Sequence, residues 1–205
     1  LERLRISRNN GMNDGRFRVA CIAQDVPLID FPSVIKGFGI AAKADPSFMF
    51  GIFSDPSQLN IWNFNDMFDV YGLKDRCVIM NPQPELNFGF PSMGEVYASS
   101  DLIIAPHQED IINIPAIEAD YCGTTVITSS FGPTKEYLSD NSGYIENSDV
   151  FIAPPLNTRF RVFDSQEIAD KIIFSSMNKK QKKKAKKTLE KYSWNKIVKN
   201  WVELF

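Results

Sequence analysis

The sequence has one histidine, three cysteines and no long apolar run, and each shortage removes a class of function. No stretch approaches the length that crosses a bilayer, and no signal peptide is visible. Cys21, Cys77 and Cys122 are odd in number, widely separated and set among apolar neighbours. They read as reduced core residues of a cytoplasmic protein, not as a disulfide frame. His107, the only histidine, falls in a turn, where a structural role is the plainer reading and a catalytic one the sharper. Charge of one sign is also lacking: the net of −2 at pH 7 gives no general affinity for nucleic acid. No glycine fingerprint follows the first strand, which argues against a dinucleotide oxidoreductase. The chain begins with Leu1, not Met, and is expected to be a fragment of a longer protein.

What is present is ordinary globular composition, 43% hydrophobic and 23% charged, with 16 phenylalanines that report core more readily than site. A length of 205 residues fits one domain with a large core. Residues 1–16 are polar, carry Asn9-Asn10-Gly11 and Asn13-Asp14-Gly15 turns, and read as a linker and entry segment. Residues 17–205 read as an α/β domain, a parallel sheet flanked by helices. Strands are expected at 17–23, 48–53, 77–80, 102–105, 124–128 and 143–145. A helix capped by Ser33 is expected to about residue 43, with Ile35, Phe38, Gly39 and Ala42 as its apolar stripe. Residues 59–71 carry Trp62, Phe64, Met67 and Phe68, read as a helix packed on the sheet in preference to a ligand platform. Ser92 caps a helix to residue 99, and a further helix opens at about Lys135. Residues 146–163 form an insertion with Pro154-Pro155, Arg159 and Arg161, expected as surface loop. Helices follow at 165–176, 178–192 and 195–205. From Lys179 onward there are ten lysines against Glu190 and Glu203, so one end is basic and the body acidic. The Lys-rich helix 178–192 is a face that acidic lipid would attract, against the plainer reading of a solvated helix.

Residues 102–130 carry the chemistry. A buried strand ends at Pro106, a polar turn His107-Gln108-Glu109-Asp110 follows, and Asn113 caps a helix that tolerates Pro115 in its first turn. Ile114, Ile117 and Tyr121 are expected on one apolar face, and Gly123 supplies the left-handed stop. In a strand–helix–strand unit the ligand sits outside the carboxyl ends of the strands, where the helix N-terminus favours an anion, here at Ile112 to Ile114. Glu118 lies about 7 Å along the axis from the cap at 1.5 Å per residue, an offset that suits a carboxylate gripping a sugar hydroxyl beside a phosphate.

Asp110-Ile-Ile-Asn-Ile-Pro-Ala-Ile-Glu118, then Gly123, the Thr-Val-Ile run to Ile127 and Gly132-Pro-Thr-Lys-Glu136, resemble the signature of group 1 (family 4) retaining glycosyltransferases of GT-B fold. Tyr97-Ala-Ser-Ser-Asp101 and Tyr192-Ser-Trp194 are similar to further motifs of that family, so the resemblance runs from about Phe17 to Phe205. It implies the C-terminal, nucleotide-sugar-binding half: a Rossmann-like domain ending in a helix that crosses back to an acceptor-binding N-terminal domain. It also implies a UDP- or GDP-sugar as substrate, a hexose as transferred group, and no metal or other cofactor. Asp110 or Glu109 would hold the sugar and act as catalytic carboxylate, and Glu118 would hold the ribose. Ile112, Asn113 and Thr134 would line the donor phosphates, and Met80 and Asn81 would meet the base.

The sequence also departs from that family. Ile111, Ile112 and Asn113 stand where it has Gly, aromatic, Gly, and glycine there lets backbone approach the phosphates. The loop after the first strand, residues 24–32, holds Asp25 and Asp30 where the family has an Arg and a Lys. A degenerate domain of the same fold, kept for binding or assembly, is therefore the competing expectation.

Overall fold

The computed structural model describes residues 15–23, 29–54, 61–80, 92–105, 107, 112–140, 142–153, 158–178, 190 and 193–202. Among them the chain runs β1 (Phe17–Ile22), α1 (Phe31–Ala44), β2 (Phe48–Phe53), α2 (Phe64–Val70), β3 (Cys77–Met80) and α3 (Met93–Ser99). It continues through β4 (Leu102–Ala105), α4 (Ile114–Tyr121), β5 (Thr125–Ser129), β6 (Gly143–Ile145), β7 (Ser148–Ala153), β8 (Thr158–Phe163), α5 (Ser165–Met177) and α6 (Trp194–Val202). Six strands form one parallel sheet in the order β3-β2-β1-β4-β5-β6.

That order follows from burial on both faces. Odd positions of β1, Phe17, Val19 and Cys21, join Phe48, Phe50, Ile52, Leu102 and Ile104 in one core that α1, α2 and α5 cover. Ala20, Ile22, Phe53, Ile103 and Ala105 point the other way into a second core under α3 and α4. A strand with apolar residues on both sides cannot face water, so the sheet is sandwiched. Right-handed crossovers then send the chain outward from β1 on one face and outward from β4 on the other. The phenylalanines are core: Phe38 stacks on Phe50 with ring centres 4.9 Å apart, and Phe31 meets Phe64 edge-on at 4.9 Å. Phe64 and Phe68 are buried with Trp62 and Met67 packed against them, so this aromatic cluster is a helix face and not a platform.

Several expectations are corrected. The cap of α1 is Asp30, whose Oδ1 accepts the Ser33 N–H at 3.1 Å, so the helix starts before Ser33. A carboxylate outcompetes the hydroxyl because it accepts more strongly and sits at the positive end of the helix. The other oxygen, Oδ2, accepts the Phe163 N–H at 2.8 Å, joining α1 to the end of β8. The helix expected at Lys135 is a single 3-10 turn, Pro133–Glu136. The expected surface loop contains an antiparallel hairpin, β7 paired with β8 from Ser148↔Phe163 to Ala153↔Thr158, and residues 154–157 lie outside the described residues. Phe163 stacks on Phe131 at 5.8 Å, and the Arg161 guanidinium lies 4.0 Å over the Phe131 ring. Of the expected Lys-rich helix 178–192, residues 179–189 and 191–192 lie outside the described residues, as do the segment 1–14 and Asn81 to Pro91.

Candidate active site

The strand order reverses between β1 and β4, and the crevice beyond their carboxyl ends is where α/β sheets of this kind take ligands. Three features border it. Past β1, Ile29 forms an antiparallel bridge with His107, which follows β4. Past β4, Asn113 opens α4. From β5, Thr128 contributes a buried hydroxyl.

Asn113 is 1% exposed, and its side chain is fully employed. Oδ1 accepts the Ala116 N–H at 3.2 Å, the expected cap. The amide nitrogen donates to the Ala105 carbonyl at the end of β4 and to Thr128 Oγ1, which itself donates to the same carbonyl at 2.8 Å. The cap is thus bolted to two strands. The N–H groups of the first turn are spent as well: Ile114 donates to the Ile112 carbonyl, Pro115 has none, Ala116 meets Asn113 Oδ1 and Ile117 meets the Asn113 carbonyl. An anion here would meet the helix dipole but find none of these three N–H groups free.

The face of α4 that packs on the sheet is Ala116, Ala119 and Asp120, all at most 2% exposed, whereas Ile114 is 60% and Tyr121 54% exposed. The expected stripe is corrected at Ile114 and Tyr121, whereas Ile117 does pack against the core: close approach of α4 to β4 and β5 favours alanine at the contact. Asp120 reaches across to the Ser139 N–H at 2.9 Å and hydroxyl at 2.6 Å. Burial pushes its carboxyl up, and these bonds work against that. Gly123 ends the helix at φ 79°, as expected.

Turning the alanines inward turns Glu118 outward. It is exposed, and its Oε2 accepts a 2.7 Å hydrogen bond from the Tyr97 hydroxyl on α3. Tyr97 is 2% exposed, and its backbone carbonyl accepts from the buried Thr124 hydroxyl at the α4–β5 turn. Burial, then the adjacent Glu118, push the Tyr97 hydroxyl well above its ordinary range, so it stays a donor. This pair was not visible in the sequence, because the partners lie 21 residues apart on two helices.

His107 has its Nδ1 shut from solvent with no hydrogen-bond partner. Burial lowers its pKa, and the Asn113 side chain acts against that shift. Thr134 is 2% exposed inside its 3-10 turn. Met80 closes β3, half-buried, with its carbonyl accepting the Ser54 N–H at 3.0 Å. Ile112 is half exposed before the cap. Glu109, Asp110 and Asn81 lie outside the described residues, so the structure brings together Ile112, Asn113 and Glu118 and leaves those three unplaced.

No family model and no curated protein matches the sequence. Solved structures do. The C-terminal domain of the group 1 glycosyltransferase LpcC of Francisella tularensis aligns with a TM-score of 0.66 at 16% identity, covering 95% of both chains. Anabaena HepE, solved with UDP and glucose, aligns at TM-score 0.66 and 15% identity over 99% of this chain and 51% of its own. Staphylococcus aureus TarM, as a mutant solved with UDP among its ligands, aligns at 0.63 and 17% identity over 92% of this chain and 35% of its own. Against these last two the chain spans 51% and 35% of their length. The fold is the α/β, Rossmann-like fold of the C-terminal domain of GT-B glycosyltransferases.

Proposed function

We propose that this chain is the donor-binding half of a retaining glycosyltransferase, taking a UDP- or GDP-sugar and passing its hexose to an acceptor held by a further domain or second chain. The observation that carries the proposal is Glu118: an exposed carboxylate a turn and a half into α4, the helix that follows β4, its Oε2 held by a buried tyrosine. A carboxylate so placed can accept from both ribose hydroxyls while the diphosphate lies toward the positive end of the helix. Neighbours of the same fold solved with UDP support that choice of ligand. Asp110 or Glu109 is assigned to the sugar, Thr134 and the Ile112–Asn113 backbone to the phosphates, and Met80 and Asn81 to the base. Transfer itself would be attack by the acceptor hydroxyl at the anomeric carbon as the nucleoside diphosphate leaves. The Lys-rich segment 178–192 would hold the protein near acidic lipid on the cytoplasmic face.

A second reading, a domain of the same fold retained for binding or assembly, is favoured by one specific observation. The first-turn N–H groups of α4 are satisfied within the protein and the Asn113 side chain fills the cap, where the resembling family has glycine. Calorimetry with UDP and GDP separates the two. Donor binding predicts heat with at least one nucleotide and its loss in Glu118→Ala; no heat with either leaves the second reading standing.

A further inference from the structure

We propose that Tyr97 is the positioning residue for nucleotide recognition, holding the Glu118 carboxylate in the one rotamer that reaches ribose hydroxyls. The inference rests on the donor-binding role given to Glu118 above. A glutamate on an exposed helix face rotates freely about three side-chain bonds, and freezing that motion when a ligand arrives weakens binding. Here the freezing precedes the ligand. The Tyr97 hydroxyl occupies Oε2 at 2.7 Å, which leaves Oε1 and the remaining lone pairs free to accept from a ribose. The tyrosine is itself held at both ends: its ring is buried in the core under α3 and α4, and its carbonyl accepts from the Thr124 hydroxyl. One residue of α3 is therefore tied both to α4 and to the turn that follows it. Burial first, and then the adjacent Glu118, push the Tyr97 hydroxyl up, which favours its donor form.

A carboxylate–hydroxyl hydrogen bond discriminates a ribose from an analogue lacking its hydroxyls by roughly 10- to 100-fold, since bonds to charged groups are the strong ones. Tyr97→Phe removes only the hydroxyl, keeps the buried ring and leaves Glu118 exposed to water, so no buried polar group is stranded. The test is calorimetry of the full chain with UDP, GDP and their 2′,3′-dideoxy forms, on wild type, Tyr97→Phe and Glu118→Asp, with thermal melts alongside. The expected result is that wild type prefers the ribonucleotide, and that Tyr97→Phe lowers its affinity about five- to tenfold while the dideoxy form binds unchanged. Glu118→Asp, whose shorter side chain cannot span to both Tyr97 and a ribose, is expected to lose the same preference even where Tyr97→Phe melts early. A uniform weakening toward both nucleotide forms marks a merely structural tyrosine and overturns the proposal. So does full ribose preference in Tyr97→Phe, with the Glu118 role intact. Absence of binding by wild type overturns the donor-binding role and this proposal together.

Discussion

Replacing Asn113 by glycine isolates what its side chain does. Asparagine sits there at φ −84° and ψ 86°, which is not a left-handed conformation, so glycine relieves no backbone strain. As a cap glycine costs only a few tenths of a kcal/mol relative to asparagine. The remaining loss is the amide donation to the Ala105 carbonyl and Thr128, about 0.5–1.5 kcal/mol for such a bond. The Ala105 carbonyl is not orphaned, because Thr128 Oγ1 still reaches it at 2.8 Å. Removing a side chain that is 1% exposed also leaves a small void, adding about 1 kcal/mol. The total is about 2–3 kcal/mol, and at about 2–4 °C per kcal/mol for a domain of this size the melting temperature should fall by about 4–12 °C. Circular dichroism melts at fixed protein concentration read this directly. An unchanged melting temperature would refute the bolted-cap account of how α4 is held to β4 and β5. UDP titration of the same variant separates the two functional readings: if the amide obstructs the phosphates, affinity rises although stability falls, and if it is purely a cap, affinity is unchanged or lower.

Two further perturbations test the packing around the site. Gly37 on α1 lies against α5, and an added Cβ would stand 2.7 Å from Ile168 Cγ2 and 2.9 Å from the Ser165 carbonyl oxygen. Gly37→Ala should therefore destabilise by about 1–2 kcal/mol, overpacking outweighing a helix-propensity gain of about 1 kcal/mol, and a stabilised variant in denaturant titration would contradict the close α1–α5 contact. Glu167 is buried enough to raise its pKa, yet the N–H groups of Glu146 and Asn147 and the Lys171 ammonium pull it below the ordinary glutamate value. A depressed carboxylate stabilises fully above its unfolded pKa and loses that contribution as pH falls through the folded one. Glu167→Gln should thus lower stability at neutral pH and flatten the acid limb of a stability–pH profile, and identical profiles for variant and wild type would remove Glu167 from that role.

The strands were legible because β1, β2, β4 and β5 are buried on both faces and read as short apolar runs between Gly, Pro and polar turns. Ser92 and Asn113 were legible as caps because their side chains act within three residues. What was not legible depends on distance in sequence or on size at a contact. Asp30 caps α1 and holds Phe163, 133 residues away, a partnership no local pattern records. The inward face of α4 is alanine because the helix lies close to β4 and β5, so a rule that large apolar side chains point inward misassigned Ile114 and Tyr121. The β7–β8 hairpin was hidden because its strands interleave arginine and aspartate with apolar residues, and the exposed Val150, Ile152 and Val162 show that this period reports pairing and not burial. Of the site, Glu118 and Asn113 were legible from the strand–turn–helix pattern, whereas the tyrosine that holds Glu118 required the packing of α3 on α4.

The most direct measurement is a crystal structure of the chain grown with saturating UDP. The account predicts the ribose hydroxyls within hydrogen-bond distance of Glu118, with the Tyr97 contact retained and the diphosphate toward Asn113. Nucleotide bound elsewhere, or Glu118 facing only solvent at full occupancy, would contradict it.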